Sequence, residues 1–564
     1  MAQSSINYSV SFDLKRETIN VEAILNGVNN ENIKFYFPVW APGAYDIVNY
    51  GAKVENFKVQ GLNLQNTILS TKLDSNTFTF SSSKNKTLKL SYIVDDFEYD
   101  SRSAWFALSD VENKFAFANG TAMFGYVEGK KNIPFTVNYT LPPNWDIVYG
   151  LDPQIGTKNG FIAKDYDELV DAPIMCGKFQ RIDFNVKNIP HTIAIISPKS
   201  LKPTTLKKIQ IMTEKVVNAE TDFFNDIPYK RYVFQVYLEE FGRGDFGYGA
   251  LEHSNSSAYR MPYTDEDKLE TDLIGVFAHE FFHLWSPKRI HVTELGPFDY
   301  QKGPKTKSLW FHEGITEYYA RLLPVRYGIT TKKNFLDDME RDLLPLIKEK
   351  QKRTITELSL KITEANMYQL MGLYTKGPAL GFLLDVTIRS QTNNKKSLDD
   401  ALRFLNEEYG KKGITFKDQD IIPIIEKSTG TKLDDFYSSY IDGLEIPQAK
   451  QLLPAIGLKL GGGKIVKEEI GVGFDFIKDG GGYVIKSLVP NSTFEVIGFK
   501  VGDTIKSWTK VSNESGKNYA SVKKMNGEIV KGEILKIEND TINLIVDELA
   551  PKDIIEARKK MLGF

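Results

Sequence analysis

His279-Glu280-Phe281-Phe282-His283 sets two imidazoles and a carboxylate within one short run. On a helix, side chains four residues apart share a face about one turn apart, so both imidazoles can reach a single Zn²⁺ ion. Glu280 then stands beside the open coordination position, where it can take a proton from water. The chain has 6 histidines in 564 residues, and all but His191 fall between His253 and His312. That clustering argues against a helix carrying two incidental surface histidines.

A hydrolytic zinc site needs three protein ligands and one open position, one ion per chain. Trp310-Phe311-His312-Glu313-Gly314-Ile315-Thr316-Glu317 offers the third. Glu313 and Glu317 are again four apart, so both can face the histidines. Glu313 is assigned as the third ligand. Glu317 is expected to accept a hydrogen bond from the non-metal nitrogen of a ligand histidine, a solvated helix-face charge being the plain alternative. His312 is the rival ligand, although it would point about 100° away from Glu313. His291, in the basic segment Lys288-Arg289-Ile290-His291, is read as structural or supporting. Attack on a carbonyl also needs a donor for the developing oxyanion. Tyr374 is the candidate, expected just before a helix whose start is marked by Gly377-Pro378.

These residues need rigid elements. Apolar residues at 273, 274, 277, 281 and 284 would bury one face of the histidine helix, and Pro287 would end it. Upstream, 1–180 alternates in the manner of strands, as in Tyr8-Ser9-Val10-Ser11-Phe12 and Thr77-Phe78-Thr79-Phe80, which predicts an all-β domain of sandwich or saddle type. Residues 181–452 predict a catalytic domain, a mixed lobe to about 290 and a helical lobe after it, with helices near 202–225, 266–286, 308–327, 332–350, 377–391, 397–409 and 415–441. Residues 453–564 turn strand- and glycine-rich again. The fold class is therefore multi-domain α+β.

Composition excludes several roles. Lys+Arg 71 against Asp+Glu 73 leaves a formal net charge of -2, with no electrostatic footprint for nucleic acid and no polybasic membrane surface. No run approaches a membrane span. The single cysteine, Cys176, rules out an internal disulfide. The opening Met1-Ala2-Gln3-Ser4-Ser5 lacks a basic and an apolar leader region, so the chain reads as cytoplasmic as written, or as periplasmic or secreted if a leader has been removed.

The motifs together resemble the glycyl aminopeptidase family of gluzincin zinc metallopeptidases, which pairs an aminopeptidase N-like catalytic domain with a C-terminal PDZ domain. His279–Trp285 followed by Lys288-Arg289-Ile290 is similar to that family's metal helix and basic tail. Leu309–Gly314 resembles its third-ligand segment, and Tyr374-Thr375-Lys376-Gly377 the segment carrying the catalytic tyrosine in the related aminopeptidase N class. Gly249-Ala250-Leu251-Glu252-His253 is similar to the exopeptidase motif of that class, in the form that ends in histidine. The resemblance implies that Glu252, with Gly249 and Ala250, recognises a substrate's free α-amino group. The physics agrees: a carboxylate beside the metal would pair with an ammonium group and place the next carbonyl on the cation. Gly471-Val472-Gly473-Phe474-Asp475-Phe476, with Tyr483–Ser492 and Gly498–Ile505, resembles a PDZ carboxylate-binding loop and its peptide-accepting strand.

The resemblance thus implies a thermolysin-like metallopeptidase domain with a helical lobe and a PDZ-like β domain. It also implies a zinc-dependent aminopeptidase that removes small first residues such as Gly or Ala. Peptides with a free N-terminus would be its substrates, and a peptide C-terminus or extended segment a partner of the PDZ-like groove. An endopeptidase of the same fold and a non-catalytic peptide-binding scaffold are the alternatives.

Overall fold

The computed structural model describes residues 4–27, 31–95, 105–240, 249–263, 265–348, 351–365, 367–477, 481–513 and 515–564. Among these, the first 180 residues supply one eight-stranded and two four-stranded sheets. Alternation in Ser5–Asp13 turns Ile6, Tyr8 and Val10 inward, as the sequence predicts for that stretch. They join a core with Val21, Leu25, Phe35, Leu90 and Phe135.

A mixed five-stranded sheet follows, in the order Gln180–Val186, Ile189–Ile196, Tyr232–Glu239, Ser256–Pro262, Gly249–Glu252. The last of these is an edge strand, antiparallel to Ser256–Pro262. Against this sheet lies the Leu269–Phe282 helix. Its Phe277 meets Phe234 at 5.0 Å between ring centroids, and Phe281 meets Tyr232 at 5.0 Å. On its other side, Phe282 packs on Phe224 of the Pro203–Phe224 helix. Leu273, Phe277, Phe281 and Leu284 are buried as their spacing predicts, whereas Ile274 is half-exposed. The histidine helix is therefore clamped between a sheet and a second helix, and its polar residues have little room to move.

Two further elements complete the site. A wide, π-type turn, Trp310–Ile315, runs straight into the helix Thr316–Arg326. Across it lies the long helix Met367–Gln391. Gly377 and Pro378 do not begin that helix, as their order suggested, but sit inside it. Their purpose is the crossing: a Cβ on Gly314 would stand 2.5 Å from the Gly377 Cα, so only a pair of glycines lets the two backbones approach so closely. One turn on, Gly381 faces Ile315 and Tyr318 in the same way.

The chain divides into two compact units, Met1–Gly457 with Glu548–Phe564, and Leu458–Asp547. The spans expected at 1–180 and 181–452 share one unit, because Trp105, Phe117 and Met175 form a common cluster with Ala194, Val233 and Ala258. The expected span 453–564 is split. Its terminal helix, Lys552–Leu562, belongs to the first unit, where Arg326 Nε donates to the Met561 carbonyl at 2.7 Å and buried Arg558 donates to the Gly457 carbonyl at 2.9 Å.

Among its described residues, the second unit is all-β apart from one short helix, Thr493–Val496. Leu458–Glu469 pairs along its length with Leu535–Val546, and a five-stranded antiparallel sheet begins at the edge strand Val472–Ile477. Ile485, Phe494, Phe499, Ile505 and Val522 form its core. The side chains of Phe474, Asp475 and Phe476, in the expected peptide-accepting strand, lie outside the described residues, as does Gly480.

The glycine crossing generates a prediction. Gly314→Ala should cost about 1–3 kcal/mol by overpacking, read as a lower thermal unfolding midpoint. Gly275→Ala, on the exposed face of the histidine helix with nothing within 4 Å, should be neutral or stabilise by up to about 1 kcal/mol. Equal midpoints for the two variants would contradict the crossing argument.

Candidate active site

His279, His283 and Glu313 are brought together. The two Nε2 atoms lie 2.9 Å apart, and Glu313 Oε2 is 3.4 Å from that of His279 and 3.5 Å from that of His283. None of the three residues is more than 6% exposed, so water does not screen them. Each imidazole spends its other nitrogen on an acceptor: His279 Nδ1 donates to Glu317 Oε2 at 2.6 Å, and His283 Nδ1 donates to the Ser286 carbonyl at 2.6 Å. Those two bonds require hydrogen on both Nδ1 atoms, so each ring, when neutral, aims its Nε2 lone pair at the other and at the carboxylate.

Such a convergence fits a divalent cation. Donors at roughly 2.0–2.2 Å around a tetrahedral ion stand about 3.3–3.6 Å apart, close to the two imidazole–carboxylate separations here. The chemistry of the set, two imidazoles and one carboxylate, also suits zinc. His312 does not take part: its Nδ1 pairs with Ser286 Oγ at 2.9 Å, and its Nε2 has no partner among the described residues. Burial pushes its pKa down to about 3.

Around the three donors stand the remaining candidates. Donor atoms of Glu252, Glu280 and His283 lie within 4.8 Å of one another. Burial pushes the Glu280 carboxyl up to about 7, while His279 and His283 pull it down. The Tyr374 ring lies 5.7 Å from that of His279. Burial, then Glu313, Glu280 and Glu252, raise its pKa well above 10, so it stays a phenol and can donate. Glu252 ends the edge strand and is 4% exposed; Gly249 and Ala250 precede it, half-buried. His253 is not among the cation donors; its Nδ1 lies 3.2 Å from Asp171 Oδ1. His291 is not among them either; burial lowers its pKa.

Several site residues carry no local signal in the sequence. Arg321 lies one turn beyond Glu317 and binds its Oε1 through Nε at 3.0 Å and Nη2 at 2.6 Å. It also pairs with buried Asp342. Its Nη2 reaches the Tyr374 carbonyl at 3.4 Å. That carbonyl is the one a residue at 378 would bond in a regular helix, and Pro378 has no N–H to offer. One guanidinium thus ties His279, through Glu317, to the backbone of Tyr374. Lys288, in the basic tail, is buried between Asp171 at 2.8 Å and Glu252 at 3.9 Å. Burial would raise the Asp171 carboxyl, but Lys288 holds it well below the usual range. Tyr45, from the N-terminal part, donates its hydroxyl to Glu313 Oε1.

Sequence comparison identifies the scaffold. The family model described as the Peptidase M61 N-terminal domain matches residues 7–178, and that of the M61 glycyl aminopeptidase matches residues 272–379. The chain belongs to the M61 glycyl aminopeptidase family. The M61 match at 272–379 spans His279, His283, Glu313 and Tyr374. An aminopeptidase N family protein from Idiomarina loihiensis has a similar structure, with TM-score 0.81 and 20% identity over 99% of this chain and 100% of that one. The M61 chain therefore has an aminopeptidase N-like, multi-domain α+β fold. A mutant M1 zinc metallopeptidase from Deinococcus radiodurans, bound to a Tyr-Ser-Ala substrate, aligns with TM-score 0.48 and 13% identity over 79% of this chain and 94% of that one. No curated protein matches the sequence. Among the described residues, no helix is long and apolar enough to cross a membrane.

Two predictions rest on this geometry. Arg321→Gln should weaken metal binding about 10–100-fold, as loss of outer partners does, measured by competition with a chelator. Unchanged affinity would make the Arg321 cluster a fold support only. Protons should compete with the metal. Burial disfavours charge on His279 and His283, yet Glu313 and Glu317 raise the first well above 6.5, and Glu313 raises the second. Since the cation needs both Nε2 atoms bare, affinity should already be falling as pH drops from about 8 towards 6.5, with proton release on binding. A flat affinity over that range would contradict it.

Proposed function

We propose that this M61 chain is a zinc-dependent aminopeptidase that hydrolyses the bond after the first residue of a peptide. The observation that carries the reading is the convergence of three buried lone-pair donors beside two further carboxylates and a protonated phenol. His279, His283 and Glu313 would hold the ion, which when bound supplies a Lewis acid for the scissile carbonyl and for the attacking water.

The chain's own residues account for the remaining steps. Glu280 takes the proton from the attacking water and delivers it to the leaving amine, roles suited to a carboxyl that burial holds up to about 7. Tyr374 donates to the carbonyl oxygen as it gains charge, and Arg321 at its backbone keeps it in place. Glu252 pairs with the substrate's ammonium group and so fixes which carbonyl reaches the cation. Glu317 holds the His279 tautomer. Gly249 and Ala250, which precede Glu252 on the edge strand and carry little bulk, would border the bound first residue. The proposal extends to a preference for a small first residue such as Gly or Ala, which the family's description as a glycyl aminopeptidase supports.

A second reading has one observation in its favour. Lys288 already lies 3.9 Å from Glu252, so the carboxylate has a counter-charge without any substrate amine. In an endopeptidase of this fold, Glu252 would serve packing only.

For the second unit we propose a PDZ-like module that adds a peptide at its edge strand, Val472–Ile477. Gly471, with φ 61° directly before that strand, supports a tight turn of the kind a terminal carboxylate needs.

The test uses aminoacyl-nitroanilides and matched N-acetylated peptides. Glu280→Gln should retain zinc and lose turnover by about 100-fold or more. Glu252→Ala should raise KM for free-amine substrates and leave N-blocked ones unaffected. If the wild-type enzyme cuts blocked peptides as fast as free ones, the endopeptidase reading replaces this one. If Glu280→Gln keeps full activity, the base assignment fails.

A further inference from the structure

The N-terminal part does more than support the catalytic part. Its loop 39–49 is closed at the base, where Val48 and Asn49 both donate to the Val39 carbonyl. It is tied to the catalytic part by Val39, which donates to the Tyr300 carbonyl at 2.8 Å, and by Trp40 Nε1, which donates to the Asp299 carbonyl at 2.8 Å. A turn, Ala44 donating to Ala41 at 3.1 Å, forms the tip.

Two residues of this tip touch two different carboxylates of the site. Tyr45 donates its hydroxyl to Glu313 Oε1, the oxygen that does not face the histidines. Gly43 lies so close to Glu252 that a Cβ there would stand 2.7 Å and 2.9 Å from its two carboxylate oxygens. Both residues adopt left-handed backbone, with φ 93° at Gly43 and φ 55° at Tyr45. Glycine accepts that conformation freely; a bulky aromatic does so only where its surroundings demand it, and such strain concentrates at working sites. A phenylalanine would fill the same buried space, so volume alone does not call for the hydroxyl.

The geometry points to segment 41–45 as a positioning element of the active site, one that aims both carboxylates. Tyr45 occupies one oxygen of Glu313 and leaves the other to complete the cation's donor set. Gly43 supplies the backbone wall against which the Glu252 carboxylate is set, a part that rests on the amine-anchoring reading above. Metal affinity thereby depends on a hydroxyl 268 residues away in sequence from the carboxylate it holds.

The test measures metal binding and substrate binding separately, in the full-length protein. Tyr45→Phe should weaken the Zn²⁺ dissociation constant about 10–100-fold in chelator competition, while the metal-free variant still unfolds cooperatively. A constant within about twofold of wild type would overturn the role of Tyr45. Should that variant fail to fold, hydrogen exchange of wild-type residues 39–49 decides: protection on adding Zn²⁺ supports the proposal, and unchanged exchange overturns it. Gly43→Ala should leave the Zn²⁺ constant intact and raise KM for free-amine peptides on the order of tenfold; an unchanged KM would overturn the role of Gly43. If the wild type instead ignores N-acetylation, the aminopeptidase reading falls while the Tyr45 measurement keeps its meaning, since it never depends on the substrate.

Discussion

Three buried lone-pair donors form an arrangement that opposes itself unless something positive sits at its centre. His279 and His283 commit their Nδ1 hydrogens elsewhere, and Glu313 brings a negative charge towards the bare nitrogens. Buried groups of this kind are normally satisfied by a donor or by a counter-ion. Burial disfavours charge on all three, yet their mutual attraction raises both imidazoles and holds Glu313 far below its usual range. A divalent cation resolves the same conflict without protons.

Much of the surrounding structure serves to hold that conflict in place. The histidine helix is wedged between sheet and helix by Phe277, Phe281 and Phe282. The Gly314–Gly377 crossing lets the segment bearing Glu313 approach the helix bearing Tyr374 more closely than any side chain would allow. Arg321 answers two needs at once, the charge of Glu317 and the carbonyl that Pro378 leaves without a helical donor. Buried ion pairs add little net stability, because desolvation consumes most of the attraction. Their contribution here is geometric: Asp342, Arg321 and Glu317 fix the ring orientation of His279, and Asp171 with Lys288 stands behind Glu252.

Local spacing made part of this legible. The pairing of His279 with His283, and of Glu313 with Glu317, needs only a helix and a four-residue step, and the alternation of Ser5–Asp13 needs only a pleat. The Tyr374 ring does lie beside that of His279, but its setting was not legible. Gly377-Pro378 has the order of a helix start, yet the helix begins at Met367 and the glycine answers a contact with Gly314. Arg321 looks like an ordinary surface charge in the sequence, and Lys288 stands out only as part of a basic tail, because nothing local marks a buried cation. Asp171, Tyr45 and Gly43 meet their partners only through the packing of the N-terminal part on the catalytic part. The return of Lys552–Leu562 to the first unit likewise depends on the docking of Arg326 and Arg558, which no periodicity announces.

The account stands on where the cation sits. Anomalous diffraction at the zinc edge, from crystals grown with the metal, locates it directly. One peak is predicted, about 2.0–2.2 Å from Nε2 of His279, Nε2 of His283 and Oε2 of Glu313. A peak held instead by Glu252, Glu280 and His283, whose donor atoms also cluster, or no peak near Glu313, would contradict it.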